Sequence, residues 1–372
     1  MTNQEFILSV LNKNFGKLST YILNGSELLQ YLLKKTKSVN SSSKSRGSFA
    51  NLYAIYVLVE DYIKNGYLDK GDYSAYEGMK FTDAFARQRQ LPFGQKLQNH
   101  ALNHRCNEEF HKYFPRSEFL PIKRNTNGDY WIEEGLLKVT AQGKIYNIAE
   151  SVIEIIDTYA SLRLEQFEGF FGLCIQHKEN YRESPKEAMQ FIYEQLSPTV
   201  DARIFEIVSF VILKFFYKEQ SLYVGESRDS VVKEDLALYK TGRTNANDGG
   251  IDFIMKPIGR IYQVTEVLDF KKYFLDIDKI DRFPITFVVK TERNSKEVMA
   301  IIARDAKNDL PPAVADRYLD CFEEIITIPK LQECLQQVVN NGLLGDLLDE
   351  LVLQCQVEYN LVTDSQNDEE ED

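Results

Sequence analysis

The stretch Asn245–Asp269 reads NANDGGIDFIMKPIGRIYQVTEVLD and decides how the rest of the chain is understood. Gly249-Gly250 suits a turn, because glycine adopts backbone angles that other residues avoid. Ile251 to Lys256 then reads as a strand, Pro257-Ile258-Gly259 as a second turn, and Arg260 to Val267 as a second strand. Alternation with period two puts Asp252, Ile254 and Lys256 on one face of the first strand. On the second strand it puts Tyr262, Val264 and Glu266 on one face, and Gln263, Thr265 and Val267 on the other. The hairpin thus gathers a carboxylate (Asp252), an amide (Gln263) and a hydroxyl (Thr265). These are hard oxygen donors of the kind that suits Mg²⁺, which takes one or two protein carboxylates and keeps several waters.

Upstream, Thr199 or Asp201 can cap a helix that runs to about Lys218. Between Ile204 and Leu213 its polar residues are Glu206 and Ser209. So apolar a helix should be buried, and an ionised carboxylate there is costly unless a cation or a metal faces it. Glu206 therefore joins Asp252 and Gln263 as a candidate metal ligand. The plainer alternative is a Glu favoured by the helix dipole or paired with Arg203.

Ser221 to Gly225 reads as a short strand and Asp235 to Tyr239 as a short helix or turn. Downstream of the hairpin come a helix (Lys271 to Phe283), a β-branched strand (Ile285 to Lys290) and a strand or helix (Val298 to Ala303). A strand (Glu324 to Ile328) and two helices (Pro329 to Val339, Leu343 to Tyr359) follow. The expected fold class is α/β, a mixed central sheet flanked by helices. The N-terminal half is mainly helical: Glu5 to Leu33, Phe49 to Ile63, Ile145 to Leu164, Phe167 to Ile175 and Lys186 to Leu196. A strand signal near Asp129 to Ile132 interrupts it. Ser197-Pro198-Thr199 marks the expected boundary, giving a region 1–197, a core 198–360 and a disordered acidic tail 361–372.

With 372 residues, 44% of them hydrophobic and 27% charged, the chain has the composition of a soluble protein of two domains. No apolar run reaches the roughly 18 residues of a membrane span, and the N-terminus lacks a signal-peptide pattern. Five scattered cysteines argue against a disulfide framework and for a cytoplasmic location. The net charge of −12 is unevenly spread, since the last nine residues, DSQNDEEED, hold six acids. Lys34 to Arg46 holds five bases (Lys34, Lys35, Lys37, Lys44, Arg46) and no acid. Ala84 to Arg124 holds eight bases, among them Arg87, Arg89 and Arg105, against three acids. An acidic total can therefore coexist with a DNA-facing basic surface. Ordinary solvated surface is the alternative for both runs. His100, His104, Cys106 and His111 lie close together, but their spacing matches no standard zinc module.

The order Glu206, Gly249-Gly250-Ile251-Asp252, then Gln263-Val264-Thr265 resembles the PD-(D/E)XK nuclease superfamily, and within it the type II restriction endonucleases. The resemblance covers about Asp201 to Glu292. It implies a restriction-endonuclease-like core in which Asp252 binds the metal, Gln263 completes the site and Glu206 assists. It also implies a Lys where this chain has Thr265. Lys256 could take over that role, or a second metal or the Thr265 hydroxyl could orient water instead, or the site could be catalytically inactive. The expected function is Mg²⁺-dependent, site-specific cleavage of double-stranded DNA, with the basic N-terminal segments gripping the duplex. A palindromic target would imply a homodimer. An inactive nuclease-fold DNA-binding module and a protein-interaction scaffold are the alternatives.

Overall fold

A computed structural model describes residues 2–36, 46–69, 72–95, 97–225, 227–241 and 251–359. Lys37, Lys44, the Gly249-Gly250 turn, the expected tail 361–372 and the side chain of Arg46 lie outside the described residues. The chain divides into two compact units, Met1–Gly169 and Phe170–Asp372. Ser197-Pro198-Thr199, where the sequence suggested a boundary, is a bend and turn inside the second unit.

The first unit runs α1 (Asn3–Phe15), α2 (Ser19–Gly25), α3 (Glu27–Lys35), α4 (Arg46–Lys64), β1 (Met79–Lys80), α5 (Phe81–Gln90), α6 (Cys106–Tyr113), β2 (Ile122–Arg124), β3 (Asp129–Ile132), β4 (Lys138–Ala141) and β5 (Lys144–Asn147). α1 starts at a capping box in which the Thr2 hydroxyl accepts from the Glu5 N–H and the Glu5 carboxylate accepts from the Thr2 N–H. α4 is the centre of this unit. Leu52, Tyr53, Ala54, Ile55, Val57, Leu58 and Val59 are each at most 1% exposed, so it is buried on all sides as its apolar sequence requires.

Two readings of this half are corrected. Ile145 does not begin a helix but lies in β5, which pairs with β4. Gln142 and Gly143 between them both have positive φ (49° and 76°), the backbone of a tight hairpin turn. The helix that follows, α7 (Ala149–Asn180), is continuous where two helices were expected. Asn147 sets its start by accepting from the Ala149 N–H at 2.9 Å.

The second unit contains the end of α7, then α8 (Pro185–Glu194), α9 (Ala202–Tyr217), β6 (Ser221–Val224), β7 (Val232–Asp235), β8 (Ala237–Lys240), β9 (Phe253–Lys256) and β10 (Arg260–Thr265). It continues with α10 (Phe270–Asp278), β11 (Ile285–Val289), α11 (Ser295–Asp309), α12 (Pro312–Leu319), β12 (Phe322–Thr327), α13 (Ile328–Asn340) and α14 (Leu344–Tyr359). Asp235 to Tyr239, expected as a helix or turn, is shared between strands β7 and β8. Leu236 and Leu238 are both buried, and β8 gains its ladder only by pairing with β9. Val298 to Ala303 resolves as part of a helix, α11, which Asn294 and Glu297 open with a capping box.

β8, β9, β10, β11 and β12 form one sheet in the order β12-β11-β10-β9-β8. β9 is antiparallel to both neighbours, β8 and β10, which therefore run in the same direction, whereas β10, β11 and β12 pair in parallel. α9 covers one face, with the Phe210 and Phe253 rings 5.2 Å apart. α10 and α11 cover the other, with the Tyr273 and Phe287 rings 4.8 Å apart and Val298 and Ile302 in the same cluster. Every residue of β11 is buried, so its ITFVV sequence shows no alternation. The architecture is mixed α/β, a mixed sheet between helices.

Candidate active site

Asp252 stands just before β9, at the end of the sheet where β8 and β10 finish. Its N–H donates to the Tyr262 carbonyl at 3.0 Å, while Phe253 also stands opposite Tyr262. Two residues thus face one, the count of a β-bulge. Beyond that point the strands part, and the Asp252 side chain takes over the pairing: its Oδ2 accepts from the Val264 N–H at 2.7 Å. On its other side the Asp252 carbonyl accepts from the Thr241 N–H at 3.0 Å. The carboxylate is therefore held between Gln263 and Thr265 along β10.

The alternation expected for the hairpin holds. Gln263 and Thr265 pair with Phe287 and Val289, on the face covered by α10 and α11. They are 8% and 4% exposed. Tyr262 pairs with Phe253 on the α9 face. Glu206, 4% exposed, belongs to α9 and so comes from the opposite face to Gln263 and Thr265. The cation facing it is Lys240, whose Nζ lies 3.5 Å from Glu206 Oε1 and 3.7 Å from Glu358 Oε2. Arg203, the partner suggested by the sequence, instead contacts Glu358 Oε1 at 2.5 Å. Among the described residues, Lys240 and Arg203 stand against Glu206 and Glu358 at the start of α9, which offsets the cost of burying Glu206.

Lys256 is not at this end. It closes β9 opposite Ala237, exposed, with its Nζ 5.9 Å from the Tyr239 ring centroid. At about 3.3 Å per residue, roughly 13 Å of strand separates it from Asp252. Glu266 faces inward on the α9 side and pairs with Lys290 at 2.7 Å. The Lys290 ammonium also donates to the Val200 carbonyl, and its side chain is 1% exposed.

Among the described residues no group of three His, Cys, Asp or Glu side chains could hold a metal ion. What remains at Asp252 is one carboxylate with the neighbouring Gln263 amide and Thr265 hydroxyl. That set fits Mg²⁺ in hardness and in its low number of protein ligands. Glu206, across the sheet and facing Lys240, stands apart from it.

The basic residues of the first unit have mixed fates. Arg87 forms a two-pronged pair with Glu60, at 2.9 and 2.8 Å, and holds the Glu60 carboxyl below its usual range. Lys35 is 8% exposed and contacts Glu109 at 2.8 Å. Lys34 lies over the Tyr113 ring, and Arg89 donates to the Gln95 carbonyl at 2.7 Å. Arg105 is exposed at the end of a π-helical stretch, Ala101–Arg105. His100 and His104 are exposed with their rings 5.9 Å apart, whereas Cys106 is buried against the Asn51 carbonyl. The histidines and the thiol therefore point apart.

Lys240, Lys290 and Glu358 were missed by sequence reasoning. Lys290 left one signal, a lysine ending an otherwise apolar strand. No family model, curated protein or solved structure matches the chain. Among the described residues no helix is long and apolar enough to cross a membrane.

Proposed function

We propose that this chain is a Mg²⁺-dependent, site-specific endonuclease of double-stranded DNA, similar to type II restriction enzymes and acting as a cytoplasmic homodimer. The observation that carries the reading is the seating of Asp252 between Gln263 and Thr265, at the end of a mixed sheet flanked by helices. Ligands of open α/β sheets bind outside the carboxyl ends of the strands, which is where these side chains stand. The order α9, β9–β10 hairpin, α10, β11 supports this reading, with β6, β7 and β8 inserted between α9 and the hairpin. Asp252 and Gln263 would hold Mg²⁺, which when bound polarises a phosphoryl oxygen and lowers the pKa of the attacking water. The water oxygen bonds to phosphorus as the bond to O3′ breaks, leaving a 5′-phosphate and a 3′-hydroxyl. Thr265 can hydrogen-bond the incoming water, and Glu206 sustains the charge balance behind the site. Arg89, Arg105, Lys34, Lys37, Lys44 and Arg46 would contact backbone phosphates, whereas Lys35 is buried against Glu109.

Cleavage of a long DNA with Mg²⁺ tests this, comparing wild type with Asp252→Asn. Discrete fragments from wild type and none from the variant are expected. Fragments that persist in Asp252→Asn would remove Asp252 from the site. Thr265, where the family pattern has Lys, favours one second reading, an inactive module that binds duplex without cutting it. Binding without cleavage would select it.

A further inference from the structure

Three of the four histidines lie between His100 and His111, and the endonuclease reading uses none of them. His100 immediately precedes the π-helical stretch Ala101–Arg105, and His104 lies within it, four residues on. Single π turns of this kind are frequent at functional sites. The inward side of the stretch is pinned. Ala101 and Leu102 are each 1% exposed, and the Cys106 N–H donates to the Ala101 carbonyl across the wide turn. The Asn103 carbonyl accepts from Arg124 at 2.8 Å, and the Asn103 side-chain oxygen accepts from the Tyr130 hydroxyl at 3.0 Å. His100 and His104 are left exposed, with ring centroids 5.9 Å apart and planes inclined at 69°. A Zn–N bond of about 2.0–2.1 Å puts the centre of a ligating imidazole roughly 3 Å from the ion, and two such rings about 5–6 Å apart. The spacing of His100 and His104 falls in that range. His111 is seven residues past His104, about 10 Å further along the helix, and is too distant to share the ion.

We propose that His100 and His104 form a binding site for a divalent transition-metal ion of the Zn²⁺ class, held through one nitrogen of each ring. Imidazole suits Zn²⁺, Ni²⁺ and Cu²⁺, whereas carboxylate and amide oxygens suit Mg²⁺, so this site and the donors around Asp252 select different ions. Two protein ligands leave the remaining positions of a tetrahedral ion to water, which makes the site open and exchangeable, unlike a closed structural zinc. The segment His100–His104 reads HALNH and places no carboxylate between the histidines, so it lacks the general base that accompanies the same spacing in zinc hydrolases. Its role is binding: the ion ties His100 to His104 and clamps the π turn where the chain enters α6. The pinned inward side holds both rings close to their liganded spacing in advance, which lowers the ordering cost of binding. This site is independent of the endonuclease reading.

Equilibrium dialysis of the full-length protein against Zn²⁺, with Mg²⁺ in large excess to compete at carboxylates, measures the site directly. The five thiols are buried and offer no accessible competing ligand. With half the protein ligands of a structural zinc, the site should take one Zn²⁺ per chain with a dissociation constant on the order of 10–100 µM. His100→Ala and His104→Ala should each weaken binding by about tenfold or more, whereas His111→Ala should leave it unchanged. Cu²⁺ should bind more tightly than Zn²⁺, the order that nitrogen ligands impose. Both histidines are exposed, so the variants should fold, and thermal melts in the absence of Zn²⁺ establish that they do. Zn²⁺ that binds the folded double variant His100→Ala/His104→Ala as tightly as wild type, or that Mg²⁺ displaces, is held by other groups and overturns the proposal. A wild-type chain that takes up no Zn²⁺ at about 1 mM overturns it as well. DNA cleavage and its dependence on Asp252 stand or fall separately from each of these results.

Discussion

Oδ2 of Asp252 accepts the Val264 N–H at 2.7 Å, so the residue assigned to metal chemistry also closes the sheet where β9 and β10 part. Val264 is 3% exposed, and its N–H has no ready access to water. Asp252→Ala should therefore cost about 1–3 kcal/mol of stability, the penalty for a buried donor left without an acceptor. Asp252→Asn keeps an acceptor oxygen and should melt close to wild type. Urea melts of the two variants check this, and equal stability of the alanine variant and wild type would show that the bond contributes nothing. Asparagine is for that reason the cleaner probe of activity.

The Arg87–Glu60 pair predicts a pH dependence in the first unit. Hydrogen bonds from Arg87 lower the Glu60 carboxyl, so as acid is added the unfolded chain takes up this proton before the folded one does. The stabilisation is present above about pH 4.3, the ordinary Glu value, and is lost as pH falls through the lower folded value. Arg87→Ala should be less stable at neutral pH and should lose less stability than wild type on acidification. Urea midpoints at neutral pH and near pH 3 provide the comparison. Parallel losses would show that another carboxylate is responsible. The same variant should leave the salt dependence of duplex binding unchanged, because Arg87 is already committed to Glu60.

All five cysteines are buried. Burial pushes the Cys106 and Cys334 thiols up to about 12, and the thiolate is the reactive form. A chromogenic disulfide reagent near neutral pH should thus titrate almost no thiol in the native protein and all five after denaturation. Rapid native reaction would mean that the cores around these residues open readily.

Elements with a strong local pattern were legible from the sequence. α4, α9 and β11 are apolar almost throughout, which requires burial whatever surrounds them. The β9–β10 hairpin was legible because Pro257-Ile258-Gly259 can only turn and because alternation assigns each side chain a face. β8 was not, since Asp235 to Tyr239 lacks β-branched residues and becomes strand only because β9 offers it a partner. The β4–β5 hairpin was hidden for a related reason: Ile145 and Tyr146 also continue a helical pattern, and the choice falls to the positive φ of Gln142 and Gly143.

The candidate site divides in the same way. Sequence by itself determined that Asp252 lies beside the Gln263-Val264-Thr265 segment, because residues on adjacent strands of a short hairpin have few other registers open to them. It also determined that Glu206 needs a counter-charge, since an ionised carboxylate on a buried helix is too costly alone. Which cation answers it was decided by tertiary structure. Lys240 and Glu358 are 34 and 152 positions away from Glu206 along the chain, and only the packing of α9 against β8 and α14 brings both carboxylates within 4 Å of the Lys240 ammonium. Charge pairing acts through space and leaves no periodicity behind, so the partners of a buried acid cannot be read from the residues beside it.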